Sequence, residues 1–247
     1  MNTKCWVFNF SGIYDHESFY LEDKGSFNVL DMKGISGTNC MCDDAAVSKI
    51  KRIFGEKEIT SEGIRFIDSG NYHYMSALLA ELVTEPFSLV VLDHHPDMQP
   101  PMFGDILSCG GWVKEVLDKN EFVRDVHVIG ADGGLIDKLD EEDRKRAHFY
   151  DIEDVFKEGI VLPKTEYPVY LSIDKDVVTR DELITNWDQG EMTSGQLCLF
   201  VKKLLAERKV LSVDICGECA PDQEGCDIEE AILQNDRLNK ALLECLI

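Results

Sequence analysis

Two acid-rich clusters stand where apolar runs end. Asp93-His94-His95-Pro96-Asp97 follows Ser88-Leu89-Val90-Val91-Leu92, and Asp174-Lys175-Asp176 follows Val169-Tyr170-Leu171-Ser172-Ile173. In an extended backbone, residues two apart share a side, so Asp93, His95 and Asp97 converge, as do Asp174 and Asp176. Carboxylates this dense repel one another, and acids leaving a buried strand are poorly solvated. A bound cation relieves both problems. Oxygen donors outnumber imidazoles, which favours hard divalent ions over thiolate-type zinc. The chemistry implied is a two-metal hydrolytic site. Paired cations about 3.5–4 Å apart lower the pKa of shared water towards about 7, and the hydroxide attacks a planar, electron-poor carbon such as a guanidinium, amidine or amide. A static metal site or a capping cluster is the alternative reading of the same residues.

A third segment is placed to join them. After the apolar run 64–68 comes Ser69-Gly70-Asn71-Tyr72-His73. A glycine turn leading into a helix that starts near His73 would aim its imidazole at the same rim; taken alone, such a histidine is a structural residue. The elements that must position these groups are short apolar runs alternating with helical patterns. The patterning predicts strands over residues 5–10, 64–68, 88–93, 125–130, 169–174 and 210–215, and helices over 43–54, 72–83, 111–118, 135–146, 193–207 and 228–246. Several strands are apolar throughout, as parallel strands covered on both faces are. The alternation implies right-handed crossovers and an α/β fold, a three-layer αβα sandwich with a mostly parallel sheet. In open sheets of this kind, ligands gather beyond the carboxyl ends of the strands. No linker-like tract, repeat or low-complexity segment interrupts the pattern, so residues 1–247 read as one domain. The mixed charges of 137–146 suit a solvated helix face.

A chain of 247 residues, 44% of them hydrophobic, can bury a substantial single core. Its formal net charge of −22 argues against nucleic acid and membrane partners, since nothing here neutralises phosphates. That charge either draws in cationic substrates or serves solubility. No apolar run approaches about 20 residues, and residues 1–10 carry no signal-peptide core, so a cytoplasmic location is expected. Nine cysteines scattered over strands and helices suit reduced thiols. Cys216-Gly217-Glu218-Cys219 is a CxxC without a second ligand pair, and Cys40-Met41-Cys42 is too close for such a motif. His94 is expected to face away and pack. Thr193 suits an N-cap; the segment 186–192 before it, and residues 8–14 after the first strand, are expected to border the site.

The three acid and histidine segments together resemble the arginase/agmatinase (ureohydrolase) family over nearly the whole chain. That family carries Gly-Gly-Asp-His, Asp-Ala-His-x-Asp and Ser-x-Asp-x-Asp, in this order and at strand ends. Here they stand as Gly70-Asn71-Tyr72-His73, Asp93-His94-His95-Pro96-Asp97 and Ser172-Ile173-Asp174-Lys175-Asp176. The resemblance implies an arginase/deacetylase-like fold and two Mn2+ ions, other divalent ions being possible. One ion would take His73, Asp93, Asp97 and Asp174, and the other His95, Asp93, Asp174 and Asp176. Asp93 and Asp174 would bridge, a hydroxide would lie between the ions, and Asp97 would assist proton transfer. A weaker match aligns Glu218, before Cys219-Ala220-Pro221, with the glutamate that grips the substrate's guanidinium. Glu218 is therefore a candidate catalytic and substrate-binding residue, or else a solvated loop carboxylate. The resemblance also allows a homo-oligomer.

The chain departs from this family in the loop after the second motif. Residues 98–112 hold no histidine to shuttle protons to a leaving amine; Ser108 or Cys109 falls where it would lie, and Asp105 or Cys109 could substitute as acid. The Asn- and Ser-rich stretch for an amino-acid head group is also missing. Asn71 and Tyr72 replace the Gly-Asp before the first histidine. The expected function is a binuclear, manganese-dependent hydrolase of linear C–N bonds in small guanidino, formimino or amide substrates. The alternatives are a deacetylase-like amidohydrolase and a metal-binding regulatory homologue without turnover.

Overall fold

The structure, a computed structural model, describes residues 4–21 and 26–247. Met1–Thr3 of the N-terminal stretch read above lie outside the described residues. Along the chain run β1 (Cys5–Asn9), β2 (Phe27–Asp31), β3 (Met41–Cys42), α1 (Asp44–Glu56), β4 (Gly63–Phe66), α2 (Met75–Ala80), β5 (Phe87–Leu92), β6 (Leu107–Ser108) and α3 (Trp112–Lys119). There follow β7 (Val123–Ile129), α4 (Gly133–Ile136), α5 (Glu141–Arg144), β8 (His148–Tyr150), α6 (Ile152–Phe156), β9 (Val169–Asp174), α7 (Ser194–Glu207), β10 (Val210–Cys216) and α8 (Ile228–Leu246).

Eight strands form one sheet in the order β2-β1-β4-β10-β9-β5-β7-β8, and every neighbouring pair is parallel. Strand side chains alternate between two cores. From β5, Leu89 and Val91 join one core with Ile50 and Phe54 of α1, Leu78 of α2 and Trp112 of α3. Val90 and Leu92 join the other, with Leu197 and Phe200 of α7 and Leu238 and Leu242 of α8. Both faces are thus covered, which is why β5 and β9 are apolar along their length. The result is the three-layer α/β sandwich expected from the alternation.

Where sequence and structure differ, burial gives the reason. The edge strands β2 and β8 were not predicted; β2 buries only Leu30, and β8 buries none of its residues fully. The helix expected over 135–146 is split into α4 and α5, one turn each, neither with a buried residue to hold a longer amphipathic face against the sheet. The helix expected over 72–83 is preceded by a 3-10 turn, Gly70–Tyr72, and the α-helix itself runs only over Met75–Ala80. Thr193 caps α7 as expected: its side chain accepts from the Gln196 amide, and Gln196 answers the Thr193 amide in a capping box. Among the described residues no helix is long and apolar enough to cross a membrane.

Candidate metal centre

The strands β4, β10, β9 and β5 are neighbours at the middle of the sheet, and the segments leaving β4, β5 and β9 carry the acid and histidine residues to one rim. The convergence arises from turns, whereas the sequence suggested continued extended strands. β5 stops at Leu92. The Asp93 side chain then accepts from the His95 amide at 2.5 Å, and Asp97 takes a left-handed backbone at φ +48. Aspartate tolerates that conformation better than most residues. After β9, the Asp174 side chain accepts from the Asp176 amide at 2.9 Å and caps a 3-10 turn. In both cases the first aspartate's carboxylate folds the chain so that the second ionisable group returns to the same side.

His73 Nδ1 faces the Oδ2 atoms of Asp93, Asp97 and Asp174 at 3.3, 3.2 and 3.2 Å. His95 Nδ1 lies 2.8 Å from Asp176 Oδ2 and 3.5 Å from Asp93 Oδ1. Two donor groups that could hold a cation follow, His73–Asp93–Asp174 and Asp93–His95–Asp176, with Asp93 in both. Adjacent ligands of an octahedral ion with bonds of about 2.1 Å stand roughly 3 Å apart, so these separations match a shell closed on an ion. His73 Nδ1 and Asp93 Oδ2 are buried without a hydrogen-bond partner. Such orphaned atoms are rare unless something else satisfies them. The residues therefore fit paired divalent cations.

Electrostatics tell the same story. Burial opposes protonating His73, yet the carboxylates of Asp174, Asp93 and Asp97 outweigh it and hold its pKa well above the usual value. Burial likewise opposes charge on His95, but Asp176 and Asp93 raise it to about 12. Burial, then repulsion from Asp93, pushes Asp97 up to about 7. Burial with Asp174 and Asp93 raises Asp176 well above the carboxylate range. Burial would raise Asp93, yet His73 and His95 together hold it below that range. The shifts share one cause, an excess of buried negative charge that a cation would balance.

Further contacts fix the ring orientations. His73 Nε2 lies 2.9 Å from Ser172 Oγ, a partner of the kind that sets which imidazole nitrogen is free to ligate. Trp112, to which the sequence assigned no role at the site, donates from Nε1 to Asp97 Oδ2 at 2.7 Å and packs its ring 4.8 Å from that of His73. No sequence signal marked it beyond its place at a helix start.

A cavity of about 200 Å³ opens over these groups, lined by His73, Asp93, His95, Asp97, Asp174 and Asp176 at its floor. Ser108 and Cys109 are on its wall, as are Cys40, Gln99, Met102 and Trp187. Trp187 comes from the 186–192 segment expected at the rim, tied down by Trp187 Nε1 and Asn186 Nδ2 donating to Asn71 Oδ1 at 3.0 and 2.8 Å. Residues 8–14 do not border the cavity. Their Phe10 and Ser11 amides instead hold Asp68 Oδ2, each at 2.8 Å. Asp105 is exposed and does not line the cavity.

Glu218, expected to grip a substrate cation, does not reach the cavity in this structure. This residue is wholly buried and absent from the cavity wall. Lys175, between the two aspartates of its motif, projects to the far side of the turn and forms a buried ion pair with Glu218. Lys175 Nζ also donates to Asn239 Oδ1 at 3.1 Å, and Asn239 Nδ2 donates to Glu218 and Glu17, each at 2.8 Å. The carboxylate assigned to a substrate cation is thus neutralised from within. Cys216 and Cys219 are both fully buried, and Cys216 donates to the carbonyls of Asp68 and Ser69, so the CxxC is packing.

Comparison with known proteins agrees with this architecture. An uncharacterised protein of Thermotoga maritima is 30% identical over 215 residues, spanning 87% of this chain and 80% of that one. The arginase of Bacillus subtilis superposes with a TM-score of 0.68 at 15% identity, covering 98% of each chain. A triple mutant of a T. brucei arginase-like protein, solved with bound Mn2+, gives 0.61 at 16% identity over 98% of this chain and 91% of that one. Residues 46–234 match the sequence model of the Arginase family. With the fold, the strand-end acids and that match in agreement, this chain belongs to the Arginase family.

Proposed function

We propose that this protein is a two-metal hydrolase cleaving C–N bonds in small guanidino, formimino or amide compounds, with manganese as the natural ion. The observation that carries the reading is the double donor set sharing Asp93, with His73 Nδ1 and Asp93 Oδ2 buried and unpartnered. His73, Asp93, Asp97 and Asp174 would hold one ion, and His95, Asp93, Asp174 and Asp176 the other. When bound, such a pair supplies Lewis acidity and brings water to reactivity near neutral pH. The oxygen-rich donors suit manganese, the ion bound in the T. brucei mutant.

The chain's own residues supply the remainder. Asp97, oriented by the Trp112 Nε1 hydrogen bond, is the carboxylate placed to move a proton between water and leaving amine. Met102, Pro100 and Trp187 give the cavity wall an apolar part. Apart from the cluster on its floor, the described lining carries no lysine, arginine or carboxylate side chain. An ionised amino-acid end, such as that of arginine, finds no counter-charge there, so the substrate's tail is uncharged or extends out of the cavity.

Turnover of arginine, agmatine, guanidinobutyrate, formiminoglutamate, acetylated polyamines and simple amides, assayed with added manganese, tests the reading. Hydrolysis of a neutral-tailed amide or guanidine above arginine is the expected result. The capture of Glu218 by Lys175 and the lack of histidine in residues 98–112 favour a second reading, a metal-binding regulator without turnover. Full metal loading with no hydrolysis across that panel selects it.

Two further outcomes check the centre itself. Metal uptake must displace the protons that His95, Asp97 and Asp176 hold, so affinity falls as pH drops. Calorimetric manganese titrations in buffers of differing ionisation enthalpy should show proton release, larger at pH about 6 than at about 8 because more of Asp97 is protonated there. Gly217 presses against this centre at φ +92, and a Cβ there would meet Asp174 Oδ1 at 2.2 Å and the Lys175 amide nitrogen at 2.6 Å. Gly217→Ala should weaken manganese binding about 10–100-fold, the usual cost of disturbing a ligand's support, read by competition with a chelating dye.

A further inference from the structure

Two thiols that the metal-centre reading does not use flank the ribbon of β3 and β6. Met41 pairs with Ser108 and Cys42 with Leu107 in antiparallel register. One step further, the register sets Cys40 opposite Cys109, and the Cys109 amide donates to the Cys40 carbonyl at 2.9 Å. Directly opposed residues of an antiparallel ribbon have Cα atoms about 4.5–5.5 Å apart, within the roughly 4.4–6.8 Å that a disulfide spans. The two thiols are close enough to shift one another, Cys109 lowering Cys40 and Cys40 raising Cys109. Both are half-buried, and both line the cavity over the acid cluster. Cys40 sits in a left-handed backbone at φ +59, a strained conformation of the kind found at functional sites.

Other cysteine pairs lack this combination. Cys216 and Cys219 are fully buried. Cys198 on α7 and Cys245 on α8 are also near each other, but neither lines the cavity, and burial pushes the Cys198 thiol up to about 12. By contrast, Cys109 brings Cys40 down to about 7, leaving a thiolate next to a protonated partner.

We propose that Cys40 and Cys109 form a reversible dithiol–disulfide pair at the cavity mouth, oxidised by small disulfides of the glutathione type. The Cys40 thiolate attacks one sulfur of the oxidant, forming a mixed disulfide and expelling one thiolate, which takes up the proton Cys40 lost. Cys109 then gives up its proton and attacks the Cys40 sulfur, closing the intramolecular bond and releasing the second thiol. Two electrons leave protein sulfur, and the oxidant's S–S bond becomes two S–H bonds. Oxidation clasps the ribbon covalently and removes the Cys40 thiolate and the Cys109 S–H donor from the wall that carries Ser108.

The test incubates the full chain with oxidised glutathione, quenches by alkylation, and maps the peptides by mass spectrometry. The expected product has lost two hydrogen atoms, yields a peptide joining Cys40 to Cys109, and reverts with dithiothreitol. Cys109→Ser should stop at a glutathione adduct on Cys40, and Cys40→Ser should yield no linked peptide from this pair. A Cys198→Ser/Cys245→Ser variant should give the same Cys40–Cys109 peptide as the parent. Alkylation of both Cys40 and Cys109 after oxidation, or their linkage to other cysteines, overturns the proposal. Because the readout is peptide mass, it stands or falls independently of any hydrolase activity.

Discussion

Asp93→Ala should leave the purified chain almost free of manganese and without C–N hydrolysis, where the parent chain holds about two ions. Asp93 is the acid common to both donor groups, with Oδ2 turned to His73 and Oδ1 to His95. Its removal opens both shells at once. Asp176→Ala, by contrast, removes a donor from the His95 group alone and should retain about one ion. Folding should survive both changes, with a modest shift in stability: deleting Asp93 relieves its repulsion of Asp97 and Asp176 but also removes its pairings with His73 and His95, which hold its own carboxyl below the usual range. Elemental analysis beside a thermal melt of the metal-free proteins measures both effects. Two ions bound to a folded Asp93→Ala protein would sink the assignment.

The second large effect concerns stability. Lys175→Met leaves the Glu218 carboxylate buried at 0% exposure beside Glu17, with only Asn239 to bond it. Removing one partner of such a pair costs about 3–5 kcal/mol, because the other charge remains desolvated. Glu218→Gln strands Lys175 in the same way. The double variant Lys175→Met/Glu218→Gln should regain most of the loss, since no lone charge is left behind. Urea unfolding of the parent, both single variants and the double closes the cycle. Independent, additive losses would show that the pair is not coupled.

The sequence revealed whatever depended on local pattern. β5 and β9 were legible because burial on both faces demands unbroken apolar runs, and the acids at their ends because nothing local balances that charge. It was silent where partners meet only in space. Lys175 gave no sign that it would claim Glu218 from across the fold, and Cys40 gave none that it would face Cys109. The segments 93–97 and 174–176 were legible as clusters but not as turns, since the carboxylate-to-amide bonds that bend them compete with extension. Edge strands such as β2 escaped because an exposed strand leaves a weak hydrophobic alternation.

The position of β10 bears on how the chain is made. It lies between β4 and β9, so the group β2-β1-β4 and the group β9-β5-β7-β8 have no hydrogen-bonded strand in common until it arrives. During synthesis both groups emerge first, each with an unpaired edge, and parallel pairings between distant segments form slowly. Growing chains halted before Val210 therefore expose two sticky borders. Chains truncated before Val210 should therefore aggregate more readily than the finished molecule, as light scattering of the two would show.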